Sequence, residues 1–107
     1  MRTASALVLA LLLAGCGGGE DDARMRAGRA VFTDLARPRC TLCHTLRDAG
    51  ASGKVGPDLD RLKPDTLRVA RAVTGGVGVM PSQAGNLTAE QIRAVAAYVA
   101  AVAGPAD

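Results

Sequence analysis

The sequence predicts an all-α domain of three main helices joined by long loops. Three stretches carry apolar residues at helical spacing, and none alternates between apolar and polar as a strand would. A third observation concerns the interior. The 107 residues include no tryptophan, one tyrosine and one phenylalanine. A domain of this size is marginal on its own side chains, so something other than aromatic residues fills its centre. The net charge of +3 is too mild for a nucleic-acid-binding stripe, and no nucleic-acid partner is expected.

Residues 1–15 read as a signal peptide rather than as part of the fold. Arg2 gives a positive start, and Ala6 to Ala14 is an unbroken apolar run of nine residues. A membrane span needs roughly 20, whereas the h-region of a signal peptide is this short. The run ends in Leu13-Ala14-Gly15-Cys16, which resembles the lipobox of bacterial lipoproteins. By that resemblance Cys16 becomes the lipidated amino terminus, which also accounts for an odd cysteine. The alternative is an ordinary signal peptide cut nearby. With Gly17 rather than Asp after the cysteine, the outer membrane is the expected destination in a Gram-negative host. Residues 16–23, with three glycines and then Glu20, Asp21 and Asp22, read as a flexible tether. Counted from Ala23, 12 basic residues face 7 acidic ones, so the domain, residues 24–107, is more basic than the whole.

The first helix is predicted from about Ala23 to Ala36. Met25, Gly28, Val31, Phe32 and Leu35 share one face, and Pro38 ends it. From Arg39 to Lys63 no period holds, and the chain reads mainly as loop. A loop that long is unusual in a compact domain unless it packs on a ligand. The second helix is predicted to open with Pro64 at its first position and Asp65 in its first turn, and to stop at Gly75-Gly76. The third has Thr88 as N-cap and Gln91 completing a capping box. Ile92, Val95, Ala96, Val99 and Val102 form its apolar face, Tyr98 lies on its flank, and Gly104-Pro105 ends it.

Cys40-Thr41-Leu42-Cys43-His44 is C-x-x-C-H, the attachment sequence of c-type haem. Two thiols at this spacing reach the two vinyl groups of one porphyrin, and the adjacent imidazole then lies under the iron. Three competing readings use the same residues. A structural zinc site needs four ligands, and only three are at hand. A thioredoxin-like redox pair needs a strand–helix setting, which is not visible. A Cys40–Cys43 disulfide would leave His44 unexplained.

The chain has one histidine and three methionines, so a sixth iron ligand can be sought by elimination. Met1 leaves with the signal peptide, and Met25 falls on the apolar face of a helix. Met80 sits in a glycine-rich loop beside Pro81, 36 positions after His44. It is the favoured ligand over Lys54, Lys63 or an open site.

These features, from residue 24 to 104, resemble the small monohaem class I c-type cytochromes. The resemblance implies a cytochrome c fold, three main helices and loops wrapped around one covalently attached haem c. It implies that Gly28 and Phe32 form the Gly-x-x-x-aromatic pair of the amino-terminal helix, which meets the Tyr98 helix beside the haem. It implies that the Pro57 carbonyl accepts a hydrogen bond from His44 and that Leu59 packs on the porphyrin. Val79-Met80-Pro81 matches the distal ligand loop. The absence of tryptophan departs from the pattern near the haem propionates, for which Lys54 and Arg61 are candidates. The expected function is single-electron transfer between a donor and an acceptor protein, with no catalysis by the chain itself. Arg37, Arg39 and Lys54 are candidates for a docking patch around the haem edge. The alternatives are a haem subunit of a periplasmic dehydrogenase or oxidase complex, and an open-iron protein that binds gases or peroxide.

Overall fold

The computed structural model describes residues 18–104. The segment read as a signal peptide, Cys16 and Pro105 lie outside the described residues. Among the described residues, five α-helices and one minimal hairpin follow in order: α1 (Gly19–Ala30), α2 (Cys40–Cys43), β1 (Thr45–Leu46), β2 (Ala51–Ser52), α3 (Leu59–Leu62), α4 (Thr66–Gly75) and α5 (Ala89–Val102). The three predicted helices are α1, α4 and α5.

α1 begins inside the segment expected to be a tether. Glu20, Asp21 and Asp22 form its first turn, where carboxylates face the positive end of the helix dipole. Its far end departs from α-periodicity. Val31–Leu35 is a π-helical turn, and the Ala36 N–H donates to the Val31 carbonyl at 3.0 Å. A wider turn shifts the buried face by about one residue. Ala36 is therefore fully buried, while Leu35, expected on the apolar face, is 46% exposed.

α1 and α4 both pack against α5. Gly28 lies where α1 meets α5. A Cβ there would fall on the Ala94 carbonyl oxygen, 2.5 Å from Tyr98 Cβ and 2.8 Å from the Ala94 carbonyl carbon. Only glycine permits this approach. Phe32 and Tyr98 then pack with ring centroids 6.3 Å apart at 59°, a tilted geometry that favours edge-to-face attraction. Tyr98 is buried, not on the flank. The tightness of the α1–α5 contact draws it in, and its hydroxyl donates to Asp48 Oδ2.

Both later helices are capped by side chains. Asp65 is the N-cap of α4 rather than a first-turn residue, its carboxylate accepting the Arg68 N–H at 2.7 Å. Pro64 stands before the helix. The Thr88–Gln91 capping box of α5 forms as predicted.

The segment from Arg39 to Lys63 has more structure than its composition suggests. β1 and β2 pair antiparallel, Thr45 with Ser52 and Leu46 with Ala51. Two-residue strands are too short to show a period. Asp58 caps α3 by accepting the Asp60 and Arg61 N–H groups. The buried Asp60 carboxylate accepts the Arg47 N–H at 2.8 Å and the Gly104 N–H at 3.0 Å. It ties the hairpin turn to the end of α5.

Candidate functional site

α2 is one turn of helix and ends at His44, whose backbone is extended. The turn keeps Cys40 and Cys43 adjacent and swings the imidazole inward, where it is 9% exposed. The Pro57 carbonyl accepts from His44 Nδ1–H at 2.8 Å. A carbonyl can only accept, so Nδ1 carries a proton, and Nε2 is the nitrogen left for a metal. The chain before Pro57 lies flat on the ring. A Cβ at Gly56 would stand 2.6 Å from His44 Cε1, and the Gly53 N–H donates to the His44 carbonyl at 3.1 Å. The imidazole is thus fixed in tautomer and in plane.

His44 opens onto a cavity of about 660 Å³, within the range of cofactor sites. Cys40, Cys43, His44, Pro57, Leu59 and Met80 all line it. Phe32, Val69, Val95 and Val99 add apolar wall from three helices. Val55, Leu67, Val77 and Val79 line the cavity yet are 57% to 88% exposed. Four large apolar side chains left bare around one opening indicate that a broad apolar surface belongs there.

Cys40 and Cys43 form no disulfide. Burial pushes the Cys40 thiol up to about 11. Among the described residues no cluster of three or more histidine, cysteine or acidic side chains could hold a metal ion. A haem fits this donor set: two thiols, one oriented imidazole and one thioether around an apolar slot.

The other candidates fall elsewhere. Met25 packs against the core without lining the cavity. Lys54, Lys63 and Arg61 do not line it either. The cations that do are Arg68 and Arg71 of α4, which the loop-centred sequence reading passed over. Of the docking-patch candidates, Arg37 is engaged locally, its guanidinium donating to the Asp34 and Ala36 carbonyls. Arg39 and Lys54 are exposed. Gln83, 4% exposed, was also missed. A lone glutamine after a glycine loop carries no periodic signal.

Comparison with known proteins agrees with this geometry. Residues 23–99 match the family described as cytochrome c oxidase, cbb3-type, subunit III. Among solved structures, the c-type cytochrome SorU from Sinorhizobium meliloti is 53% identical to this chain. The similarity covers 78% of this chain and 94% of that one, with a TM-score of 0.76. No curated protein matches the chain. With an apolar-lined cavity beside a C-x-x-C-H turn, and with these relatives, the chain belongs to the cytochrome c family as a small class I c-type cytochrome whose cofactor is covalently bound haem c.

Proposed function

We propose that the chain is a membrane-tethered carrier of single electrons, with His44 and Met80 as axial ligands of one haem. The carrying observation is convergence. Cys40, Cys43 and His44 of one segment and Met80 of another line one apolar cavity, while Met25, Lys54 and Lys63 do not. Haem c supplies a one-electron ferric/ferrous couple. The two thiols would hold the ring through thioethers, and His44 Nε2 would face the iron. The hydrogen bond from Nδ1 to Pro57 keeps that nitrogen basic and aimed. Leu59 and the valines that line the cavity would exclude water from the ring. The Met80 sulfur, a soft ligand, favours ferrous iron and raises the potential. Two protein ligands would leave no open coordination position for substrate chemistry or gas binding.

Electrons pass to and from redox partner proteins. Among the described residues no helix is long and apolar enough to cross a membrane. The tether in this reading is a lipid on Cys16, on the periplasmic side of a bacterial membrane and, in a Gram-negative host, of the outer one. The second reading is a haem subunit of an oxidase or dehydrogenase complex, and the family description, which names an oxidase subunit, supports the oxidase form. Co-purification of a stoichiometric enzyme from native membranes would favour it over the free carrier.

The ligand assignment is tested by spectrum and potential together. The ferric protein should show the weak long-wavelength absorption of methionine ligation. Met80→His should abolish that band and lower the potential, because imidazole stabilises ferric iron better than thioether. Met25→Leu should leave both unchanged. A potential that responds to Met25 and not to Met80 would refute the assignment.

A further inference from the structure

We propose that Gln83 is a positioning residue that clamps the Met80 loop to the haem-attachment segment, and so controls how firmly the methionine sulfur is held. The inference rests on Met80 as the ligand.

Val77 and Met80 exchange two backbone hydrogen bonds, of 3.0 and 2.8 Å, closing a tight turn. Three residues later the chain turns inward at Gln83. Its backbone N–H donates to the Val73 carbonyl near the end of α4 at 2.8 Å. Its side chain reaches the other way. Oε1 accepts from the Arg37 N–H at 3.0 Å, and Nε2 donates to the Pro38 carbonyl at 3.3 Å. The Arg37 N–H can only donate and the Pro38 carbonyl can only accept, so the amide has one satisfactory orientation. Asn86 reinforces it, Nδ2 donating to Gln83 Oε1 at 3.2 Å and to the Arg37 carbonyl at 3.0 Å.

Pro38 lies two residues before Cys40. The segment that leads into the thioether cysteines and the loop that carries the distal sulfur are therefore joined through Gln83. Among the described residues, no backbone–backbone hydrogen bond joins Arg37–Arg39 to the loop beyond Met80. The hydrogen bonds between them come from two amide side chains, and only Gln83 is buried. Swinging the Met80 loop away from the cavity strains or breaks this link and leaves buried polar groups unpaired, which resists opening. Gln83 does not line the cavity. It acts on the iron only through Met80.

The test is titration of the ferric holoprotein with imidazole, which binds iron only where the sulfur has left. Gln83→Leu keeps the size and removes the side-chain hydrogen bonds. It should raise the apparent imidazole affinity about tenfold, equivalent to about 1.4 kcal/mol. Tyr98→Phe removes a different long-range hydrogen bond, to Asp48, and should leave the affinity at the wild-type value. Asn86 is exposed. Asn86→Ala, which should fold even if Gln83→Leu does not, should raise the affinity by about threefold, as a weaker share of the same link.

Unchanged affinity in Gln83→Leu and Asn86→Ala would overturn the clamp. So would an equal rise in Tyr98→Phe, which would make the effect one of general stability. If wild-type protein already binds imidazole as tightly as Met80→Ala and lacks the long-wavelength band, the Met80 assignment fails and the clamp falls with it.

Discussion

Gly28→Ala isolates the contact on which the helical frame depends. In an isolated helix this substitution is favourable by about 1 kcal/mol. Here the new Cβ would lie 2.5 Å from Tyr98 Cβ and 2.8 Å from the Ala94 carbonyl carbon. Ordinary contact begins at 3.4 Å, so α1 and α5 must part by about 1 Å, a shift that close packing resists. Two of the three obstructing atoms are backbone and cannot rotate away. Overpacking of this kind costs about 3 kcal/mol, the upper part of its usual range. Set against the propensity gain, the net loss is about 2 kcal/mol. In a domain of this size that lowers the melting midpoint by about 8–16 °C. The assay is thermal unfolding of the holoprotein followed by far-ultraviolet circular dichroism. Gly75→Ala is the control: a Cβ there meets nothing within 4 Å, and its midpoint should stay or rise. A Gly28→Ala protein that melts at or above wild type would show that propensity outweighs the contact, and the close-approach argument would fail.

Three further outcomes follow from the site and its supports. Cys40→Ala combined with Cys43→Ala should give no covalently bound haem and little folded protein, read by haem staining after denaturing electrophoresis; a retained haem band contradicts the attachment. Cys16→Ser should leave the haem domain intact while the protein loses its membrane fraction, and wild-type protein found wholly in the soluble periplasm would end the lipid-anchor reading. Burial, then the Asp48 hydrogen bond, hold the Tyr98 phenol well above its ordinary value of 10.0. The folded protein keeps this proton where the unfolded chain loses it, so stability is complete below about pH 10 and declines above it. Tyr98→Phe should cost about 1 kcal/mol at neutral pH and remove that alkaline decline. Parallel denaturation curves for the two proteins from neutral to alkaline pH would refute the coupling.

The chemistry of this protein is local in sequence, and its support is not. C-x-x-C-H is five consecutive residues because two thiols and an imidazole must meet one ring, so it is legible without a fold. The Thr88–Gln91 box and the apolar period of α5 are equally local. Met80, which lines the cavity, was singled out by elimination in a chain with one histidine and three methionines. The wider features depend on tertiary contact. The π-helical turn at Val31–Leu35 moves Ala36 inward and Leu35 outward, and no propensity rule marks it. Tyr98 is buried because Gly28 lets two helices nearly touch, a fact of both partners at once. Arg68 and Arg71 replace Lys54 and Arg61 at the cavity because α4, read only as a helix, forms one of its walls. Gln83 draws its role from Arg37 and Pro38, more than forty positions away, where a buried amide must find partners for both of its ends. The motif determined what would be bound. Packing decided which distant segments brace His44 and the Met80 loop, because hydrogen bonds between distant segments exist only once the chain has closed on itself.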